Sequence, residues 1–204
     1  MKKCMLLLLT VLFLPVWTAC AQETQGLSYL EAVSSDAPSG IENNYASLKQ
    51  KFPELYQQLW FTVDVPESLE LYDNGKTDGV VRFADPSGKN LLTLETRFKE
   101  QPERYYQQYL HTVCANLSEL SSFHEYDEIF SVNGYSARRL DVKQNAGSET
   151  RLISYWFLAV EEAPDTAKYY HQSGVCVIAV ESTAENIEAM LRIPDTFRMR
   201  ENET

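Results

Sequence analysis

The chain has 204 residues and carries 29 acidic against 18 basic residues, a formal net charge of −11. Such a balance excludes a phosphate-backbone ligand and an electrostatic hold on an anionic membrane face, because both require a basic surface. The length suits one domain with a tether, enough to bury a proper core.

Lys2 and Lys3 open the chain, and Met5 to Leu14 is apolar except for Thr10. A cationic start, an apolar run and small residues behind it make a secretory signal over residues 1–19. The apolar run is shorter than the roughly 20 residues that cross a bilayer. Two cleavages are open. Thr18-Ala19-Cys20 ends like a lipobox, which would make Cys20 a lipidated N-terminus; Ala19-Cys20-Ala21 also satisfies ordinary signal cleavage. A cysteine at a cleavage junction has an evident use only in the first case. The expected address is the cell envelope, lipid-anchored on an outer-membrane or periplasmic face, or else soluble periplasmic or secreted.

Residues 20–40 are rich in Gln, Ser, Gly and Pro and form the predicted tether, with one domain over 41–200. Ser39 and Glu42 make a capping-box pattern ahead of Ile41, Tyr45, Leu48 and Phe52, which recur at helical spacing. Pro53 then opens a short second helix to Leu59. From Trp60 the pattern alternates as a strand and stops at Pro66. Residues 79–84 and 91–98 form a strand pair joined by Asp85-Pro86-Ser87-Gly88. A helix over 102–118 follows, with Tyr106, Leu110, Val113 and Leu117 on one stripe and Tyr109 alongside.

Strands 125–132 and 135–143 flank Asn133-Gly134, a strong hairpin signal. Residues 151–160 and 175–180 are apolar at successive positions, as expected of central strands covered on both faces. A short helix over 184–191 and an extended piece over 196–199 complete the order. The predicted fold class is α+β, a largely antiparallel twisted sheet with helices packed on it.

This order resembles the PsbP/DcrB-like superfamily of small exported domains, which includes bacterial lipoproteins. The residues that carry the resemblance are the opening strand Phe61-Thr62-Val63-Asp64-Val65-Pro66, the helix over 102–118, and Val132-Asn133-Gly134-Tyr135-Ser136-Ala137 leading into long paired strands. The resemblance implies a non-enzymatic accessory or partner-binding role in the envelope, with no cofactor.

The candidate chemistry is sparse. Cys114 and Cys176 are an even pair, open to a disulfide in an oxidising compartment or to two buried thiols. Cys114 with His111, His124 or His171 as base would be the arrangement of a cysteine hydrolase; a helix-edge cysteine beside an exposed histidine is the simpler expectation. Along a continuous strand, His124 and Glu128 share one face while Glu125 and Asp127 share the other, which splits any metal-ligand set. Neither a catalytic nor a metal residue is assigned. Twelve tyrosines are the compositional excess, and their amphipathic rings suit interfaces and sugar stacking. Tyr105, Tyr169, Tyr170 and His171 are the candidate binding residues, the last three in the long connection 161–173. The expected function is a non-catalytic accessory protein that binds an envelope protein partner. The alternative is a module that takes a small ligand or glycan in a groove between helix and sheet.

Overall fold

The computed structural model describes residues 45–98, 101–116, 121–146, 149–160 and 174–199. Cys20, the tether and the connection 161–173 with Tyr169, Tyr170 and His171 lie outside the described residues.

An antiparallel sheet forms the frame, and the fold is α+β. Along its main path the strand order is β4 (Glu70–Asn74), β5 (Val80–Ala84), β6 (Leu91–Phe98), β11 (Gly174–Thr183), β10 (Glu149–Val160), β9 (Tyr135–Ala146) and β7 (Ser121–Glu125), and β8 (Phe130–Val132) also pairs with β9. The predicted central strands are β10 and β11. β11 is buried along almost its whole length and β10 over most of 152–160, since each has a strand on both sides and packed side chains on both faces.

Alternation along these strands makes two cores. The first face carries Trp156, Leu158, Cys176, Ile178, Leu94 and Phe83. It is covered by Leu48 of α1 (Leu48–Lys51), Leu55 and Leu59 of α2 (Pro53–Leu59), Ile187 and Met190 of α4 (Ile187–Met190), and Ile193 of α5 (Arg192–Asp195). The second face carries Leu140, Val142, Ile153, Phe157, Val175 and Val177, and Tyr106 of α3 (Pro102–Asn116) packs there.

The Asn133-Gly134 hairpin forms as predicted, with φ of 49° and 88° at its two residues, the left-handed pair that a two-residue turn of matching twist requires. At the other predicted turn Gly88 has φ 68°, and the Asp85 carboxylate accepts from Lys89 N at 2.9 Å.

Three local expectations are corrected. Tyr45–Ser47 is not helical but forms β1, which pairs with β3 (Asp64–Pro66), while β2 (Phe61–Thr62) pairs with β12 (Arg198–Met199). Leu48 N donates to Val63 O at 2.8 Å and Ser47 Oγ meets Thr62 Oγ1 at 3.0 Å, so tertiary pairing overrides the helical spacing. The single strand expected over 125–132 is two. The chain leaves the edge of β9 after Glu125 and rejoins it at Phe130, and the intervening Asp127 carbonyl accepts from Arg138 at 3.2 Å. The alternation that was to sort His124 through Glu128 onto two faces therefore stops at Glu125. Finally, β4 was not anticipated. Its Glu70, Asp73 and Asn74 lack apolar alternation because it is an edge strand, where charge blocks further pairing.

Candidate functional site

The helix α3 begins at Pro102 with Glu103 in its first turn, an arrangement suited to a helix N-terminus. Its buried stripe is aromatic. Tyr106 is fully buried, meets Phe157 edge-on at 5.1 Å, and donates its hydroxyl to Glu125 at 2.8 Å. Burial, reinforced by that carboxylate, pushes the Tyr106 phenol well above its ordinary value. One turn on, the Tyr109 ring lies 5.1 Å from that of Phe157 and 5.2 Å from that of Tyr155, and burial pushes its phenol well above its ordinary value. Tyr105 is half-buried, reaching Glu95 at 3.2 Å.

α3 lies over β10 and β11, and among the described residues no helix packs over the β4–β6 end of the second face. A trough of about 230 Å³ opens there. Tyr109 and Tyr155 wall it on the helix side. Tyr72, 61% exposed, stands at the rim on β4, where a bulge between Leu71 and Asp73 breaks the register. Thr93 and Glu95 of β6, Arg82 of β5 and Glu181 of β11 line the space between.

Each guanidinium in and beside this trough is already held by carboxylate, three guanidinium groups against the four carboxylates of Asp73, Asp78, Glu95 and Glu181. Arg82 donates to Asp73 at 2.7 Å and to Asp78 at 2.8 Å. Glu95, itself buried, holds Arg97, and Glu181 holds Arg151, whose other arm reaches the Gly88 carbonyl at 2.6 Å. Burial raises the Glu181 carboxyl above its ordinary value, and the Arg151 guanidinium offsets only part of this.

A second polar centre sits on the first face. Arg139 and Asp141 are both buried and share a fork of two bonds, 2.9 Å from Nε and 2.8 Å from the terminal nitrogen. Tyr126 donates to the same carboxylate at 2.9 Å, and the guanidinium lies between the Tyr126 and Trp156 rings at 4.8 and 4.9 Å. Burial, then Asp141, pushes the Tyr126 phenol up to about 12. Ser154 shares this face and borders a small cavity beside the pair. Register places His124, Asp141 and Ser154 on three successive strands, with the acid in the middle. The histidine and serine are thus two strand spacings apart, about 10 Å, whereas relaying a serine proton needs the imidazole between serine and acid.

The sequence-predicted residues divide accordingly. Tyr105 joins the aromatic wall of the second face. Cys114 and Cys176, the pair left open by the sequence, are carried on different sides of the sheet. Cys176 points into the first core, while Cys114 rides on α3 over the second, so the sheet lies between them. The same sheet separates Cys114 from His124, which turns to the first face beside Asp141. Burial pushes the Cys176 thiol up to about 12, which leaves it protonated and inert. Tyr72, Tyr155, Glu95, Glu181 and Arg82 were not singled out. A lone tyrosine in a charged edge strand and glutamates within apolar runs carry no local signal, and only sheet pairing brings them together.

No family model and no curated protein sequence matches this chain. Among solved structures it is similar to LpqN, involved in cell envelope biogenesis of Mycobacterium tuberculosis, at 13% identity and a TM-score of 0.44, over 69% of this chain and 83% of that one. It is also similar to a Bacteroides thetaiotaomicron protein at 11% identity and a TM-score of 0.41, over 71% of this chain and 47% of that one. A Pseudomonas aeruginosa protein of unknown function, PA94, follows at 10% identity and a TM-score of 0.36, over 64% and 82%. These likenesses are too loose to carry over a role, and the resemblance to PsbP/DcrB-like domains rests on the strand and turn order of the sequence alone.

Proposed function

We propose that this chain is an exported envelope protein of PsbP/DcrB-like type, anchored by a lipid on Cys20, whose domain binds rather than transforms its ligand in the trough beside α3. The observation that carries the proposal is the uncovered end of the second face. A sheet face that no described helix covers, walled by tyrosines and floored by ion pairs, has the concave and mixed surface of a small-ligand site. No helix among the described residues is long and apolar enough to cross a membrane; the attachment proposed is the lipid on Cys20.

Trp156 is 6% exposed and faces the other core, so its fluorescence does not report on the trough. A Tyr72→Trp variant places a reporter at the rim. Titrating the processed protein with a soluble envelope extract is expected to shift the emission of this variant, and Tyr109→Ala is expected to weaken the response. An unchanged emission at saturating extract would remove the trough as the site. For the anchor, a Cys20→Ser protein is expected to leave the membrane fraction; retention there would defeat lipidation.

The partner-binding expectation has one support in the described residues. Tyr72 is an exposed aromatic on an edge strand, the kind of residue that anchors a protein contact. Crosslinking in intact cells separates the two readings. One co-purifying protein at near-equal amount, lost in Tyr72→Ser, would make the trough rim a protein interface.

A further inference from the structure

We infer that the trough takes a neutral, polyhydroxylated ligand, a saccharide unit stacked between Tyr72 and the Tyr109–Tyr155 wall and hydrogen-bonded to the Arg82, Glu95 and Glu181 ion pairs. The inference rests on the trough being the binding site and names what fills it.

Charge decides the class first. Each guanidinium in and beside the trough already faces carboxylate: Arg82 between Asp73 and Asp78, Arg151 on Glu181, and Arg97 on Glu95. An anionic ligand would have to displace a carboxylate already in place, within a strongly acidic protein. The surplus carboxylate is on the Asp73–Asp78 pair around Arg82, neither of which lines the trough, so a cationic ligand inside it would have to displace a guanidinium from Glu95 or Glu181. A neutral ligand displaces neither. Paired guanidinium and carboxylate groups keep spare N–H donors and oxygen lone pairs at fixed positions, side by side. Adjacent hydroxyls, each both donor and acceptor, match that alternation. Pairing also holds these long side chains in place before the ligand arrives, which reduces the ordering cost on binding.

The aromatic walls point the same way. A pyranose ring has faces rich in C–H and an edge rich in O–H, so it stacks on a tyrosine ring while its rim meets polar groups. Tyr109 and Tyr155 contact each other at 5.2 Å on one side, and Tyr72 stands exposed on the other. The volume of about 230 Å³ is below the range of drug-sized sites and suits one ring-sized unit at a time, with an open end for the rest of a chain.

The test is calorimetric titration of the full-length processed protein with maltotetraose, cellotetraose, chitotetraose and, as the charged counterpart, a tetragalacturonate. Envelope polysaccharide in a parallel pull-down distinguishes a glycan borne by the envelope from a free oligosaccharide. At least one neutral probe is expected to bind, with affinity flat between low and high salt because no net charge is neutralised. Tyr72→Ser is expected to lower that affinity about five- to tenfold, the worth of one aromatic contact. Its thermal midpoint should stay unchanged, since the side chain is at the surface. Tighter, salt-sensitive binding of the uronate, lost in Tyr72→Ser, would overturn the neutral-ligand inference and leave the trough as the site. A Tyr72→Trp response to extract, with no saccharide bound and no polysaccharide captured, would overturn the saccharide class alone. No response to either would remove both.

Discussion

Removing the Asp141 carboxylate isolates the energetics of the first polar centre. That carboxylate accepts from two Arg139 nitrogens at 2.9 and 2.8 Å and from Tyr126 at 2.9 Å, and the side chains of the pair are 8% and 5% exposed. Asp141→Ala leaves a guanidinium buried between two aromatic rings with no counter-ion, and a phenol with no acceptor. Breaking one side of such a buried pair costs about 3–5 kcal/mol. At about 2–4 °C per kcal/mol for a domain of this size, the thermal midpoint falls by roughly 6–20 °C. Replacing both members, Arg139→Met with Asp141→Leu, removes the stranded charge and is expected to recover most of the loss. Tyr126→Phe deletes one charge-assisted bond and costs about 1.5–3 kcal/mol. Urea unfolding of the set, followed by far-ultraviolet circular dichroism, gives each value and the coupling between the partners. A loss below about 1 kcal/mol in Asp141→Ala would refute the reasoning, because it would mean that water reaches the guanidinium and that the pair is in effect a surface one.

Other consequences follow from single groups. Burial raises the Glu181 carboxyl above its ordinary value of 4.5, so the folded state holds this proton more tightly than the unfolded chain does. Stability from this group is therefore greatest at low pH and falls as pH rises from 4.5 through the raised value. Glu181→Gln should remove that decline, seen as a urea midpoint that drops less than wild type between pH 4 and 7; an identical slope in both would contradict the assignment. Cys176 is fully buried and its thiol lies far above neutral pH. In a protein lacking Cys20 and Cys114, it should react with Ellman's reagent only after denaturant is added, and rapid labelling of the native protein would show that the first core opens. Gly134 has φ 88° with nothing near the position of an added Cβ. Gly134→Ala should thus cost about 1 kcal/mol from backbone strain alone, and an unchanged urea midpoint would count against the left-handed turn.

Much of the fold is legible in local patterns, and the exceptions share a cause. Residues 151–160 and 175–180 announce central strands because burial on both faces demands apolar side chains at successive positions. Asn133-Gly134 marks its hairpin because few residue pairs accept φ above zero twice in a row. Tyr106 stands on the predicted stripe of α3 because that helix has one face to bury. Tyr45–Ser47 misleads because its apolar spacing fits a helix, while the partner that makes it a strand lies some twenty residues ahead. Glu70–Asn74 is silent because an edge strand is selected for charge.

The candidate site was hidden for a different reason. Tyr72, Arg82, Glu95, Tyr109 and Glu181 come from five separate elements, and no spacing in the chain relates them. The sequence by itself determined the central strands, the Asn133-Gly134 hairpin, the helix α3, the acidic surface and the excess of tyrosine. Which tyrosines are wall and which are core, and which arginine meets which glutamate, was decided by antiparallel register and by the position of one helix. Register assigns each side chain of a strand to one face, and α3 covers only part of the face that it packs on. Cys114 and Cys176 show the same division: their number makes them a pair in the sequence, and the fold puts the helix that carries one and the core that holds the other on opposite faces of the sheet.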